Sequence, residues 1–205
     1  MSIWHEAYFG DDDTLIQLLP SARDKNDLNF GFAAYCVRAY FPYKALPYFL
    51  SNELTDITEG LFISGTENGE LFKEIVHFCR TQFPEKCIPI FNSAASKLTN
   101  HYRHRQYDYD NTYCQSLKIL IDHGATWFYF NNKPALMIAD LLDIGVDPKK
   151  IKNFHCEKLV NRRNSFVKEL RRVLYNKINV DDIVTYNIIP YVSYRDFVGK
   201  KRYVG

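Results

Sequence analysis

Residues 116–125 read Ser-Leu-Lys-Ile-Leu-Ile-Asp-His-Gly-Ala. Leu117, Leu120 and Ile121 stand at i, i+3 and i+4, the spacing that lines one face of a helix. Gly124 follows directly, and glycine adopts the left-handed turn that ends a helix without a steric penalty. The pattern predicts a short helix with one narrow apolar stripe. Such a unit must lean on neighbours of the same kind to bury that stripe.

The same theme recurs. Ala7 and Gly10 are followed by Leu15, Leu18 and Leu19, and Asp11-Asp12-Asp13-Thr14 supplies capping and dipole-matched residues where a helix should begin. Ala33-Ala34 precede Leu46, Phe49 and Leu50, with Pro47 placed where only a first helical turn accepts it. Gly60 leads through an Asn68-Gly69 turn to Phe72, Ile75 and Val76. Phe91, Ala94, Ala95 and Leu98 predict a helix whose partner is the one from Tyr113 to His123, with the polar and aromatic stretch His101–Asn111 inserted between them. Leu141, Leu142 and Gly145 close the series. The paired apolar positions recur at uneven intervals of 31, 26, 45 and 21 residues. Strand signals are sparse: Trp127-Phe128-Tyr129-Phe130 reads as a short strand or a packed aromatic loop.

On Ala7, Gly10, Leu15, Leu18 and Leu19, and on Leu117, Leu120, Ile121, Gly124 and Ala125, residues 2–148 resemble a divergent ankyrin-repeat protein. The Thr-Pro-Leu-His opening of the usual repeat is missing, and Ile3 and Trp4 occupy part of that place in the first unit. A tidy array keeps a period of about 33 residues, which these intervals do not. The resemblance implies an all-α, ankyrin-like solenoid that binds another protein and catalyses nothing. Tyr102, Tyr107, Tyr109, Trp127, Phe128 and Tyr129 are the aromatic candidates for partner anchors. The plainer expectation for most of them is core filling.

The pattern changes after Pro148, which divides the chain into repeats at 1–148 and a helical segment at 149–205. Ser165 stands where it would cap a helix carrying Phe166, Leu170 and Leu174, with Lys168, Arg171, Arg172 and Lys177 on its other face. Ile189-Pro190 and Tyr194–Val198 follow. This order loosely resembles the SOCS box, although Phe166 stands for the expected Leu and Leu170 for the expected Cys. The resemblance implies an adaptor in which Phe166, Leu170, Leu174, Ile189 and Pro190 meet elongin B/C, and through it a cullin. The competing expectation is that the same face caps the helical stack.

Charge is unevenly spread. Residues 149–205 hold fourteen Lys and Arg against five Asp and Glu, a net of +9, and the preceding part carries −7. A basic tail can meet nucleic acid through Lys152, Lys158, Arg162, Arg163, Lys168, Arg171, Arg172 and Lys177. With the front part acidic, that reading ranks third. No apolar run reaches the roughly 18 residues of a membrane span, and the opening residues lack a secretory pattern. The expectation is a cytoplasmic or nuclear protein. Five widely spaced cysteines (36, 79, 87, 114 and 156) fit free buried thiols.

No phosphate-cradling glycine loop, nucleophile elbow or His-Glu-x-x-His helix is present. His77, Cys79 and Cys87 lack an obvious fourth ligand for zinc. His101 and His104 sit beside Arg103 and Arg105, which oppose a metal cation. Neither a cofactor nor a metal is expected. Abundant Asn, Ile, Lys, Phe and Tyr fit an A+T-rich genome, so a pathogen or viral effector that binds a host protein is the further alternative.

Overall fold

A computed structural model describes residues 2–22, 24–38, 42–102, 111–126, 134–175 and 192–198, and every side chain within them except those at 102, 111, 134, 174 and 175. The chain is all-α: the described residues form helices and turns and no strand. Two compact units divide it, Met1–Tyr129 and Phe130–Gly205. The boundary lies earlier than the composition change at 148/149, because the helix Pro134–Asp143 packs on the long helix of the second unit.

The first unit holds α1 (Ile3–Phe9), α2 (Asp12–Leu18), α3 (Lys25–Val37), α4 (Leu46–Leu50), α5 (Ile57–Glu67), α6 (Gly69–Gln82), α7 (Cys87–Tyr102) and α8 (Asn111–Asp122). All but α2, which packs on α1, lie in two rows. Helices α1, α3, α5 and α7 touch in that order, and α4, α6 and α8 form the second row. Side chains join the rows: the Phe49 ring lies 5.2 Å from Phe32 and 5.4 Å from Tyr35. Across the rows, the Ser116 hydroxyl of α8 donates to the Gly65 carbonyl of α5 at 2.8 Å.

Local chemistry explains the boundaries. Asp11 caps α2, accepting from the Thr14 amide at 2.9 Å and the Thr14 hydroxyl at 2.8 Å. Pro47 lies in the first turn of α4, where its missing N–H costs nothing. Asn68 ends α5 and begins α6: its amide donates to Ser64 O at 2.7 Å, and its side-chain oxygen accepts from Leu71 N at 3.1 Å. The apolar pairs read from the sequence face inward. Phe49, Leu50, Ile75, Val76, Leu120, Ile121, Leu141 and Leu142 are buried, as is Leu19, while Leu18 is half-buried.

Helix α8 closes as the sequence predicts. Gly124 has φ +100°; Ala125 N donates to Leu120 O at 2.9 Å and Gly124 N to Ile121 O at 3.1 Å. This reciprocal pair satisfies carbonyls that would otherwise be orphaned at the helix end, and buried Ala125 seals it.

The second unit holds α9 (Pro134–Asp143), a 3-10 turn at Pro148–Lys150, α10 (Phe154–Tyr175) and a second 3-10 turn at Tyr194–Phe197. Helix α9 ends on the same device: Gly145 has φ +86°, Val146 N donates to Leu141 O at 2.9 Å and Gly145 N to Leu142 O at 3.1 Å. Helix α10 starts at Phe154, not at Ser165. Asn153 provides the cap, its side chain accepting from His155 N at 2.9 Å. Buried Cys156 and Leu159 extend the apolar stripe backwards at helical spacing, and no Gly or Pro interrupts it, so Ser165 is an exposed mid-helix residue.

Candidate functional site

Among the described residues, a cluster of large exposed apolar side chains in ring contact with each other lies on α1. Ser2 caps this helix by accepting from His5 N at 3.3 Å. Ile3 and Ala7, four apart, are buried on its inner face, where α1 meets α3. Trp4 and Tyr8, also four apart, therefore fall on another face together, and Phe9 follows beside Tyr8. Trp4 and Tyr8 stack at 6.0 Å with planes 10° apart, and Tyr8 and Phe9 meet edge-on at 4.5 Å. His5 lies 5.4 Å from Phe9. These rings remain 48 %, 41 % and 66 % exposed at Trp4, Tyr8 and Phe9. Water-exposed rings held against one another are preordered, so a partner covering them loses little side-chain freedom on binding. The exposed ring faces suit apolar contact.

Deeper in the same unit is a buried polar network. Asp12 Oδ2 accepts from the Tyr35 hydroxyl at 3.1 Å and from Ala45 N at 3.2 Å. Burial, and then the Asp12 charge, push the Tyr35 phenol far above its usual range. Arg38 stacks 5.3 Å over the Tyr35 ring, and its carbonyl accepts from the Asn68 side-chain amide. These groups are shielded from solvent and tie loops to helices; they offer no open face to a substrate.

All five cysteines are free and buried. Burial raises the Cys79 thiol to about 12, with a smaller contribution from Cys87, and raises Cys36 further. Such thiols stay protonated and are poor nucleophiles. His77 is exposed beside them, and His101 is held between aromatic rings, stacked at 5.6 Å on Tyr113 and edge-on at 5.3 Å to Phe62. Among the described residues no group of three or more His, Cys, Asp or Glu is placed to hold a metal ion. No helix among them is long and apolar enough to cross a membrane.

Of the aromatic anchors expected from the sequence, Tyr102 is the last residue of α7, with its side chain outside the described set. Tyr107, Tyr109, Trp127, Phe128 and Tyr129 also lie outside the described residues, as do Ile189 and Pro190 and the Leu174 side chain. Phe166 is 44 % exposed and Leu170 half-buried. The Phe166 ring meets Phe197 at 5.7 Å. The segment bearing Phe197 is clasped onto the second unit. Arg195 makes a bidentate pair with Asp140, the Ser193 hydroxyl and Tyr194 N bond Asp143 at 2.5 and 2.8 Å, and Arg162 donates to Phe197 O at 2.8 Å.

Sequence reasoning used Trp4 only as a marker of repeat position and passed over Tyr8 and Phe9. The signal was present: Trp4 and Tyr8 keep helical spacing out of phase with Ile3 and Ala7.

No family model, curated protein or solved structure matches this chain.

Proposed function

We propose that the protein is a non-catalytic interaction scaffold of ankyrin-like helix pairs, and that it holds another protein against the outer face of α1. The observation that carries this reading is the exposed set Trp4, Tyr8 and Phe9, in ring contact with one another and on a different face from the buried Ile3 and Ala7. The row α1, α3, α5, α7 supports it: each later helix in the row packs on the one before it, and the rings of α1 at the head of the row are exposed to a partner. Tyr and Trp are the side chains that dominate protein interfaces when they are buried there. The test compares proteins recovered from cells by the wild-type chain and by a Trp4→Ala/Phe9→Ala variant of equal thermal stability. The expected result is a partner recovered by the wild type and lost with the variant. Recovery of the same set by both chains would remove this site.

A ubiquitin-ligase adaptor is the second reading. Phe166 and Leu170, one turn apart on α10, favour it. Since Phe166 already rests on Phe197, elongin capture requires release of the clasped 192–198 segment. Elongins B and C missing from a full-length pull-down would exclude it.

A further inference from the structure

Residues 149–175 carry nine Lys and Arg against two Glu. At 3.6 residues per turn, Phe154, Lys158, Arg162, Lys168 and Arg172 share one face of α10, opposite the stripe that includes Cys156, Leu159 and Leu170. Lys158, Lys168 and Arg172 are exposed and Arg162 is half-buried. Arg172 is neutralised by its fork onto Glu169, at 2.6 and 3.0 Å. Lys149 and Lys152 stand exposed just ahead of the helix. Asp147 and Glu157 stand beside these residues in the sequence, and the Asp147 side chain accepts from Lys149 N at 2.9 Å. Among these cations Phe154 is 71 % exposed, and the Lys158 ammonium lies 6.0 Å over its ring.

We infer that this face of α10, with Lys149 and Lys152, binds single-stranded nucleic acid. Cations one turn apart on a helix are about 6 Å from each other, close to the spacing of phosphates along an extended strand. The exposed Phe154 ring, met edge-on by His155 at 5.9 Å and approached on one side by Lys158, offers a base a stacking surface of the kind that sequence-tolerant single-strand binders use. A bilayer fits less well: the exposed apolar residues of α10 do not form one band, since Phe154 stands apart from Phe166 and Val173 around the helix. Duplex cannot use Phe154, because its bases are already stacked on each other.

The test titrates fluorescent dT20, a matching 20-base-pair duplex and phosphatidylserine vesicles with the full chain at several salt concentrations. With Lys149, Lys152, Lys158 and Lys168 engaged, log affinity for dT20 falls with log salt at a slope of about −2.8, roughly a 50-fold loss between 50 and 200 mM. Phe154→Ala weakens dT20 binding roughly tenfold and leaves duplex binding unchanged. Lys158→Ala/Lys168→Ala lowers the slope by about 1. No dT20 binding at 50 mM salt, equal affinity of Phe154→Ala and wild type, or preference for the vesicles or the duplex would each overturn the assignment.

Discussion

The Arg38 guanidinium meets the Asp12 carboxylate at 2.7 Å, with the two side chains only 6 % and 5 % exposed. The pair joins the end of α3 to the start of α2. Among the described residues Arg38 Nε and Nη1 find no hydrogen-bond acceptor, so these residues offset the desolvation of this cation only partly.

That geometry predicts an asymmetric mutational response. Asp12→Ala leaves a buried unpaired cation and costs about 3–5 kcal/mol, whereas Asp12→Ala/Arg38→Met costs less, because only the Tyr35 hydroxyl and the Ala45 N–H lose their acceptor and no charge is stranded. Urea unfolding of the single and double variants measures the difference. Equal losses would mean that the pair is not shielded from water.

The two helix-closing glycines differ in their surroundings. A Cβ at Gly145 meets nothing within 4 Å, so Gly145→Ala costs only the left-handed strain, about 1 kcal/mol. A Cβ at Gly124 lies 2.9 Å from the end of Ile88, so Gly124→Ala costs more than Gly145→Ala. Chemical denaturation of the pair gives this ranking, and the reverse order would contradict the packing of α7 against the end of α8.

Acid sensitivity follows from Asp11. Hydrogen bonds from the backbone and side chain of Thr14 hold its carboxyl below the usual range. Its folded pKa is depressed, so its contribution is complete above the ordinary Asp range and fades as pH falls through the folded value. Asp11→Asn therefore flattens the acid limb of a melting-temperature profile and leaves the region above pH 7 parallel to wild type.

The thiols give a chemical readout. Cys36 and Cys79, wholly buried and with raised pKa, react with iodoacetamide at pH 8 only after denaturant is added. Mass spectrometry of native and unfolded samples locates the adducts. Rapid native labelling of either residue would mean that α3 or α6 opens locally.

Much of the helical skeleton was legible because it rests on local chemistry. Asp11, Asn68, Gly124 and Gly145 each mark a helix end by a bond that a nearby residue completes, and Phe72, Ile75 and Val76 show one face of α6 directly. The start of α10 was misplaced because Ser165 has a capping side chain, while the cap in use, Asn153, precedes a segment whose apolar residues are widely spaced. The compact units and the charge change at Lys149 divide the chain at different places because the charge change marks surface composition, while the packing of α9 on α10 leaves no compositional trace. The α1 patch is easily overlooked because aromatic residues are ordinarily counted toward the core, and in a helix this short the phase of Trp4 and Tyr8 against Ile3 and Ala7 is a weak signal that the exposure of Tyr8 makes plain.

Asn68 serves two helices through one side chain and one amide. A residue shared in this way couples the fraying of α5 to that of α6. Hydrogen exchange at the α5 C-terminus and the α6 N-terminus should consequently proceed at matched rates, making this corner a single cooperative unit of opening instead of two independent ends.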